Sequence, residues 1–230
     1  EGVIDITRPQ IYFGENDYHS VIVNSKVDEF DYPESETSAT HRYEADTGIP
    51  LAGLNRLLFA WQEKSYRYLI SDQITSESQL LQTRNIFDRV KRITPFLDFD
   101  SDAYPVVRED GTLVWMLDAF TLTDRYPYSD ASGNPYNYIR NSIKVTVDAY
   151  TGEVVYYLVD PDAPLAKTYK KMFPDLFTTE IPSDIQDHFR YPVQLFQTQS
   201  NLYRMYHMTN LEQFYNREDY WQFPTEKYYG

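Results

Sequence analysis

The sequence predicts an α+β fold, an antiparallel β-sheet packed with helices, and three observations carry that prediction. Over residues 142–160, Ile143, Val145 and Val147 alternate with Lys144, Thr146 and Asp148, the period of a strand with one apolar face. Thr151-Gly152 follows as a turn in which Gly152 takes a positive φ without a Cβ clash, and residues 154–159 return apolar or aromatic on both faces, as a central strand does. Residues 104–121 form a second hairpin, with Glu109-Asp110-Gly111 at its tip and Leu113, Trp115 and Leu117 alternating with Val114 and Met116. Helical spacing is the third observation. Leu51, Leu54, Leu58, Trp61 and Leu69 recur at three to four residues, as do Leu80, Phe87 and Val90.

Taken in order, residues 10–13, 19–24 and 29–32 read as extended segments, with Pro33 ending the run. Residues 34–47 are rich in Ser, Thr, Glu and Asp without periodicity and read as a surface loop. A first helix begins near Ile49-Pro50 and runs to Ile70, and a second begins at Ser76, where Ser76 and Gln79 fit a capping box, and ends at Pro95. Both are expected to lay their apolar faces on the sheet. Residues 123–140, rich in Tyr, Ser, Asn, Gly and Pro, form a long loop between the hairpins, a place where binding tends to concentrate. Helices are expected over residues 165–173, 183–189 and 192–208, with a last short one introduced by Asn210 and Gln213. No linker of suitable composition interrupts the chain, so residues 1–230 read as one domain: N-terminal strands and helix (1–75), a sheet core (76–160) and a helical part (161–230).

Composition excludes several chemistries. Hydrophobic residues make up 42% and aromatics 17%, enough to build a core. A formal charge of −14 argues against a nucleic-acid partner, whose phosphates need Lys and Arg in excess. The absence of Cys removes thiol catalysis, thiolate metal sites and disulfides together. His19, His41, His188 and His207 lack the spacing of a zinc motif. No Gly-x-Ser-x-Gly elbow is present, and no Gly-rich phosphate loop. No catalytic residue is assigned, and the chain is read as a non-enzyme.

Two sets of candidate residues remain. Asp98, Asp100, Asp102 and Glu109 fall at positions 1, 3, 5 and 12 of a calcium-loop spacing, although Ala103 stands where that loop needs Gly and a strand follows where it needs a helix. A solvated connection is the plainer reading, and no cofactor other than calcium is suggested. Tyr126, Tyr128, Tyr136 and Tyr138 place four phenols in the long loop, where large amphipathic rings suit a contact surface. Tyr156 and Tyr157 lie in the proposed central strand and read as core, while Tyr228-Tyr229 close the aromatic tail.

The order of a helix, two strands, a long loop and the hairpin Val147-Asp148-Ala149-Tyr150-Thr151-Gly152-Glu153-Val154 resembles the PepSY-like unit of secreted and membrane-attached proteins. That resemblance implies a PepSY-like core and, loosely, a peptide-binding or protease-restraining role. A second resemblance covers nearly the whole chain. It is carried by residues 8–15, residues 55–60, Pro105-Val106-Val107 with Leu113-Val114-Trp115, residues 138–144, and Tyr206-His207-Met208 followed by Phe214-Tyr215-Asn216. Together these look like the bacterial uncharacterised protein family one-eight-two, large proteins with several N-terminal membrane spans and a long extracytoplasmic region. The resemblance implies that the chain is an extracytoplasmic piece at the cell membrane, attached only through parts of its parent outside these residues. It implies no activity. The expectation is therefore a binding or regulatory module for a polypeptide or for the parent membrane protein, engaged through the 123–140 loop or an open sheet edge. An envelope-glycan binder using aromatic stacking is one alternative, and a carboxylate-dependent hydrolase of envelope material another.

Overall fold

The computed structural model describes residues 5–16, 19–34, 37–222 and 224. In chain order the elements are β1 (Val21–Val23), β2 (Glu29–Glu34), β3 (Thr37–His41), β4 (Ile49–Pro50), α1 (Gly53–Gln62), α2 (Arg67–Ile70), β5 (Gln79–Leu81) and α3 (Ile86–Ile93). They continue with β6 (Asp98–Phe99), β7 (Tyr104–Val107), β8 (Leu113–Thr123), β9 (Tyr138–Asp148), β10 (Val154–Leu158), α4 (Pro164–Met172), β11 (Phe177–Thr178), α5 (Ser183–Gln186), α6 (Val193–Tyr206) and α7 (Leu211–Asn216). The fold is α+β. The main sheet has the order β11-β10-β9-β8-β6 with β7 also on β8, and its pairs β6/β8 and β7/β8 are antiparallel while β10/β11 is parallel.

Packing divides the chain into two compact units: Glu1–Phe96, Tyr104–Met116 and Thr146–Val155 in the first, and Leu97–Ala103, Leu117–Val145 and Tyr156–Gly230 in the second.

The first unit is assembled on the tip of the β9/β10 hairpin. Asp148 accepts the backbone N–H groups of Tyr150 and Thr151 at 2.9 and 2.7 Å, and Gly152, at φ +72°, completes the turn with its N–H on the Asp148 carbonyl. The N-terminal segment docks here, with the N–H groups of Tyr12 and Phe13 both on the Ala149 carbonyl and Trp115 Nε1 donating to the Phe13 carbonyl at 2.9 Å. Phe13 is buried with its ring against Gly152, where a Cβ would come within 2.6 Å of the ring, and the Arg89 guanidinium stacks on it at 4.6 Å. The second hairpin turns as its sequence requires, with Gly111 at φ +78° and Arg108 N–H on the Thr112 carbonyl. A smaller core joins Leu51, Phe59, Ile74 and Leu80 beneath the three-stranded sheet β1-β5-β4.

Three expectations for this unit are corrected. The second helix starts at Ile86, not at Ser76: Asn85 is its N-cap and accepts the Asp88 N–H at 3.0 Å. Gln79–Leu81 is instead a buried strand held between β1 and β4. The run does not stop at Pro33, because β2 passes through it after a register shift and pairs with β3 in a two-stranded ribbon, so Thr37–His41 of the expected 34–47 loop is strand while residues 42–47 carry no regular element. Finally, α1 buries Phe59 and Ala60 and turns Leu54, Leu58 and Trp61 outward, so the face expected on the sheet is in solvent.

In the second unit Leu117, Ala119, Phe120, Ile143, Val145, Tyr156 and Leu158 are buried, and Tyr156 meets Phe177 edge-on at 5.9 Å. Tyr156 and Tyr157 are core residues. Among the described residues of this unit lie the helices α4, α5, α6 and α7, and Asn210 caps the last through the N–H groups of Glu212 and Gln213. Tyr228-Tyr229 lie outside the described residues.

Candidate functional site: a tyrosine-lined cleft

The loop between β8 and β9 belongs to the second unit and is ordered by one side chain. Asn137 accepts the Tyr126 N–H on Oδ1 at 2.9 Å, and its amide donates to the carbonyls of Tyr126 and Ser129 at 2.8 and 3.1 Å. Ser129 Oγ returns a bond to the Asn137 carbonyl, and the Asn137 N–H closes on Thr123. Within that frame Ser132 N–H bonds Asp130 and Asn134 N–H bonds Ala131, which folds the tip into short turns. Such a loop presents side chains at little further ordering cost.

Three of the four loop tyrosines gather and the fourth stands apart. Tyr126 and Tyr138 stack face to face at 5.2 Å with 19° between their planes, and the Arg140 guanidinium lies 5.1 Å from the Tyr138 ring centre. Burial raises the Tyr138 phenol above its ordinary pKa. Tyr136 reaches α6, where its hydroxyl meets Thr198 Oγ1 at 3.3 Å. Tyr128 is fully exposed at φ +59° and touches none of these. Loop and helix enclose a cleft of about 260 Å³, lined by Tyr126, Tyr136, Tyr138, Arg140, Leu195 and Gln199 among others. Its wall therefore offers an aromatic face, a cation, apolar patches and amide groups. Asp130 is the one acid on it.

The helix that closes the cleft is positioned by two of the suspected calcium ligands. Asp100, buried, accepts the Gln194 N–H in the first turn of α6 at 3.0 Å, and Asp98 accepts from the Gln194 side chain at 3.4 Å. A carboxylate there satisfies an orphan helix donor and faces the positive end of the helix dipole. Asp102 donates its N–H to Asp100 at 3.3 Å and its side chain is exposed, while Glu109 sits at the tip of the β7/β8 hairpin. Among the described residues no group of three or more His, Asp or Glu side chains is placed to hold a metal ion.

Sequence reasoning missed a buried ion pair. Asp118 on β8 and Lys144 on β9 form an ion pair with side chains 3% and 5% exposed. The Lys144 ammonium also donates to the Arg190 carbonyl at 2.8 Å and lies 5.3 Å from the Phe189 ring centre. Burial pushes the Asp118 carboxyl above the usual carboxylate range, against the pull of Lys144. A signal was present at Asp118, which interrupts the apolar run Leu117-Asp118-Ala119-Phe120, whereas Lys144 sits at a polar position of the alternation over residues 143–148 and gave none.

Comparison with known proteins gives a family and no activity. The model of the Uncharacterised protein family (UPF0182) matches residues 1–229. The chain is 49% identical to a UPF0182 protein of Desulforamulus reducens over 97% of its length, 46% to one of Caldicellulosiruptor saccharolyticus over 99%, and 47% to one of Methanospirillum hungatei over 98%. It spans about a quarter of the length of these relatives, 24%, 25% and 26% respectively. No solved structure matches it.

Proposed function

The chain belongs to the Uncharacterised protein family (UPF0182), and on that premise we propose that it is an extracytoplasmic region of a larger membrane protein that binds an extended polypeptide in the cleft between the 123–140 loop and α6. The observation that carries the reading is the Tyr126/Tyr138 stack on a loop locked by Asn137. A preformed aromatic face beside a guanidinium and amide groups suits a peptide, whose side chains alternate apolar and polar and whose backbone needs donors and acceptors. The membrane placement is supported by the sequence resemblance, and the larger parent by the greater length of the relatives. Among the described residues no helix is long and apolar enough to cross a membrane, so a span would belong to other parts of the longer chain.

The two alternatives draw less support from the site. A glycan binder favours rings side by side in one plane, whereas Tyr126 and Tyr138 cover each other's faces. A carboxylate hydrolase needs two facing acids in a cleft, and this cleft has Asp130 alone.

The test is selection from a displayed random-peptide library on the immobilised chain, with a wash in mixed sugars. Peptides enriched by the wild type and lost with Tyr126→Ser/Tyr138→Ser support the reading. Equal enrichment by both proteins would move binding away from the cleft, and oligosaccharide released by the sugar wash from envelope extract would favour the glycan reading.

A further inference from the structure

We infer that the outward apolar face of α1 is a docking surface for the part of the longer family chain that lies outside these 230 residues. The inference rests on the chain being a region of a longer protein and not on the peptide cleft. Leu54, Leu57, Leu58 and Trp61 stand at i, i+3, i+4 and i+7, one stripe of a helix, and they are 68%, 54%, 52% and 82% exposed. An amphipathic helix ordinarily turns such a stripe to the core. Here the core takes the opposite side, Phe59 and Ala60.

The surface extends beyond one helix and is preformed. Tyr66, Leu69 and Ile70 on and beside α2 are exposed as well. Arg56 fastens the two helices by donating to the carbonyls of Tyr68, of Leu69 at 3.2 Å and of Ser71 at 2.9 Å. Over residues 51–71 the charged side chains are Arg56, Glu63, Lys64 and Arg67, none of them in the stripe, and the first is spent on that clamp. An uncharged ridge of three Leu and a Trp at this spacing is what one helix offers another in ridges-into-grooves packing. Contiguous exposed apolar surface of this kind marks an interface.

The length of the relatives says what covers it. Three relatives match 97–99% of this chain, yet the match takes up only 24–26% of their own length, so each carries this unit within a chain about four times as long. An occupant on the same chain faces the stripe at high effective concentration and needs no separate encounter.

The test uses the full-length protein. Leu57→Cys and Trp61→Cys are introduced singly, with Asp124→Cys, at a highly exposed position, as the open control; residues 1–230 contain no Cys, so labelling is assigned by peptide mass. Reaction with a charged maleimide is followed in membranes and in dilute detergent solution. The inference predicts labelling at positions 57 and 61 at least ~10-fold slower than at 124 in both preparations, as for a site exposed only through local opening. A photoreactive phenylalanine at position 61 then cross-links within one chain to a peptide outside residues 1–230. Equal labelling at all three positions overturns the inference. Protection confined to membranes overturns it in favour of a lipid surface, and protection that fades on dilution or a cross-link between copies overturns it in favour of self-association. A native gene product no longer than 230 residues would remove the premise itself, independently of any labelling result.

Discussion

Replacing Lys144 by Met separates the buried ion pair from the ordinary run of surface charge. Lys144→Met keeps most of the side-chain volume and removes the ammonium, leaving the Asp118 carboxylate 3% exposed without that cation and removing the Lys144 bond to the Arg190 carbonyl. Breaking a buried pair from one side costs about 3–5 kcal/mol, because the surviving charge stays desolvated. The sign with pH follows from Asp118. Its folded pKa is raised, first by burial, so the folded state holds the proton more tightly than the unfolded chain and ionisation costs stability as pH rises from the unfolded carboxylate range through the folded value. Without Lys144 only the Asn141 side chain still opposes the desolvation, so the variant's deficit is largest near neutrality and shrinks on acidification as Asp118 takes up its proton. Urea unfolding at several pH values, with midpoints compared at unchanged slope, measures this. The double variant Asp118→Leu/Lys144→Met should recover to within about 1 kcal/mol of wild type or exceed it. A Lys144→Met deficit below about 1 kcal/mol at neutral pH, or one independent of pH, would refute the reasoning and mean that water reaches the pair.

Three further outcomes follow from the same structure. Gly152→Ala should cost about 2–4 kcal/mol in thermal unfolding, since φ +72° and a Cβ within 2.6 Å of the Phe13 ring add left-handed strain to overpacking; a loss under about 1 kcal/mol would mean that Phe13 yields. Asp100→Ala should destabilise by about 1–3 kcal/mol and raise amide exchange in the first turn of α6, because Gln194 loses its buried acceptor; unchanged exchange there would contradict the anchoring role. Asn137→Ala should raise amide exchange across residues 124–136 by roughly tenfold or more while the sheet keeps its protection, and equal exchange would show that the loop is held by other contacts.

Much of the fold was legible where local chemistry decides it. The hairpins around Gly111 and Gly152 form because turn residues and strand alternation agree, and the Asn210 cap forms for the same reason. The misreadings fall where long-range contacts overrule a local pattern. Ser76 and Gln79 imitate a capping box, yet Gln79–Leu81 is drawn into a strand by β1 and β4, which no local spacing reveals. The β2/β3 ribbon half-buries polar positions, Glu29, Asp31 and His41, and leaves Phe30 and Tyr32 exposed, so its sequence does not show the apolar alternation that marks a strand. Over residues 49–70 the period found helix but not its bounds, since Ile49–Pro50 is a strand and the one helix expected is two, α1 and α2, and it said nothing about which side the core would take. At the cleft, composition pointed equally to Tyr126, Tyr128, Tyr136 and Tyr138, of which Tyr128 does not line it, and the Asn137 latch and the α6 wall depend on contacts across 8 to 62 residues of sequence.

Binding in the cleft is tested most directly by the affinity of one library-selected peptide for the wild type and for Tyr126→Ser, read by fluorescence anisotropy, with unfolding midpoints confirming that both are folded. Tyr126 is half exposed on the stack and makes its side-chain contribution to the cleft wall. Loss of a central aromatic anchor predicts an affinity at least ~10-fold weaker at an unchanged unfolding midpoint. An equal dissociation constant for the two proteins would contradict binding at this site.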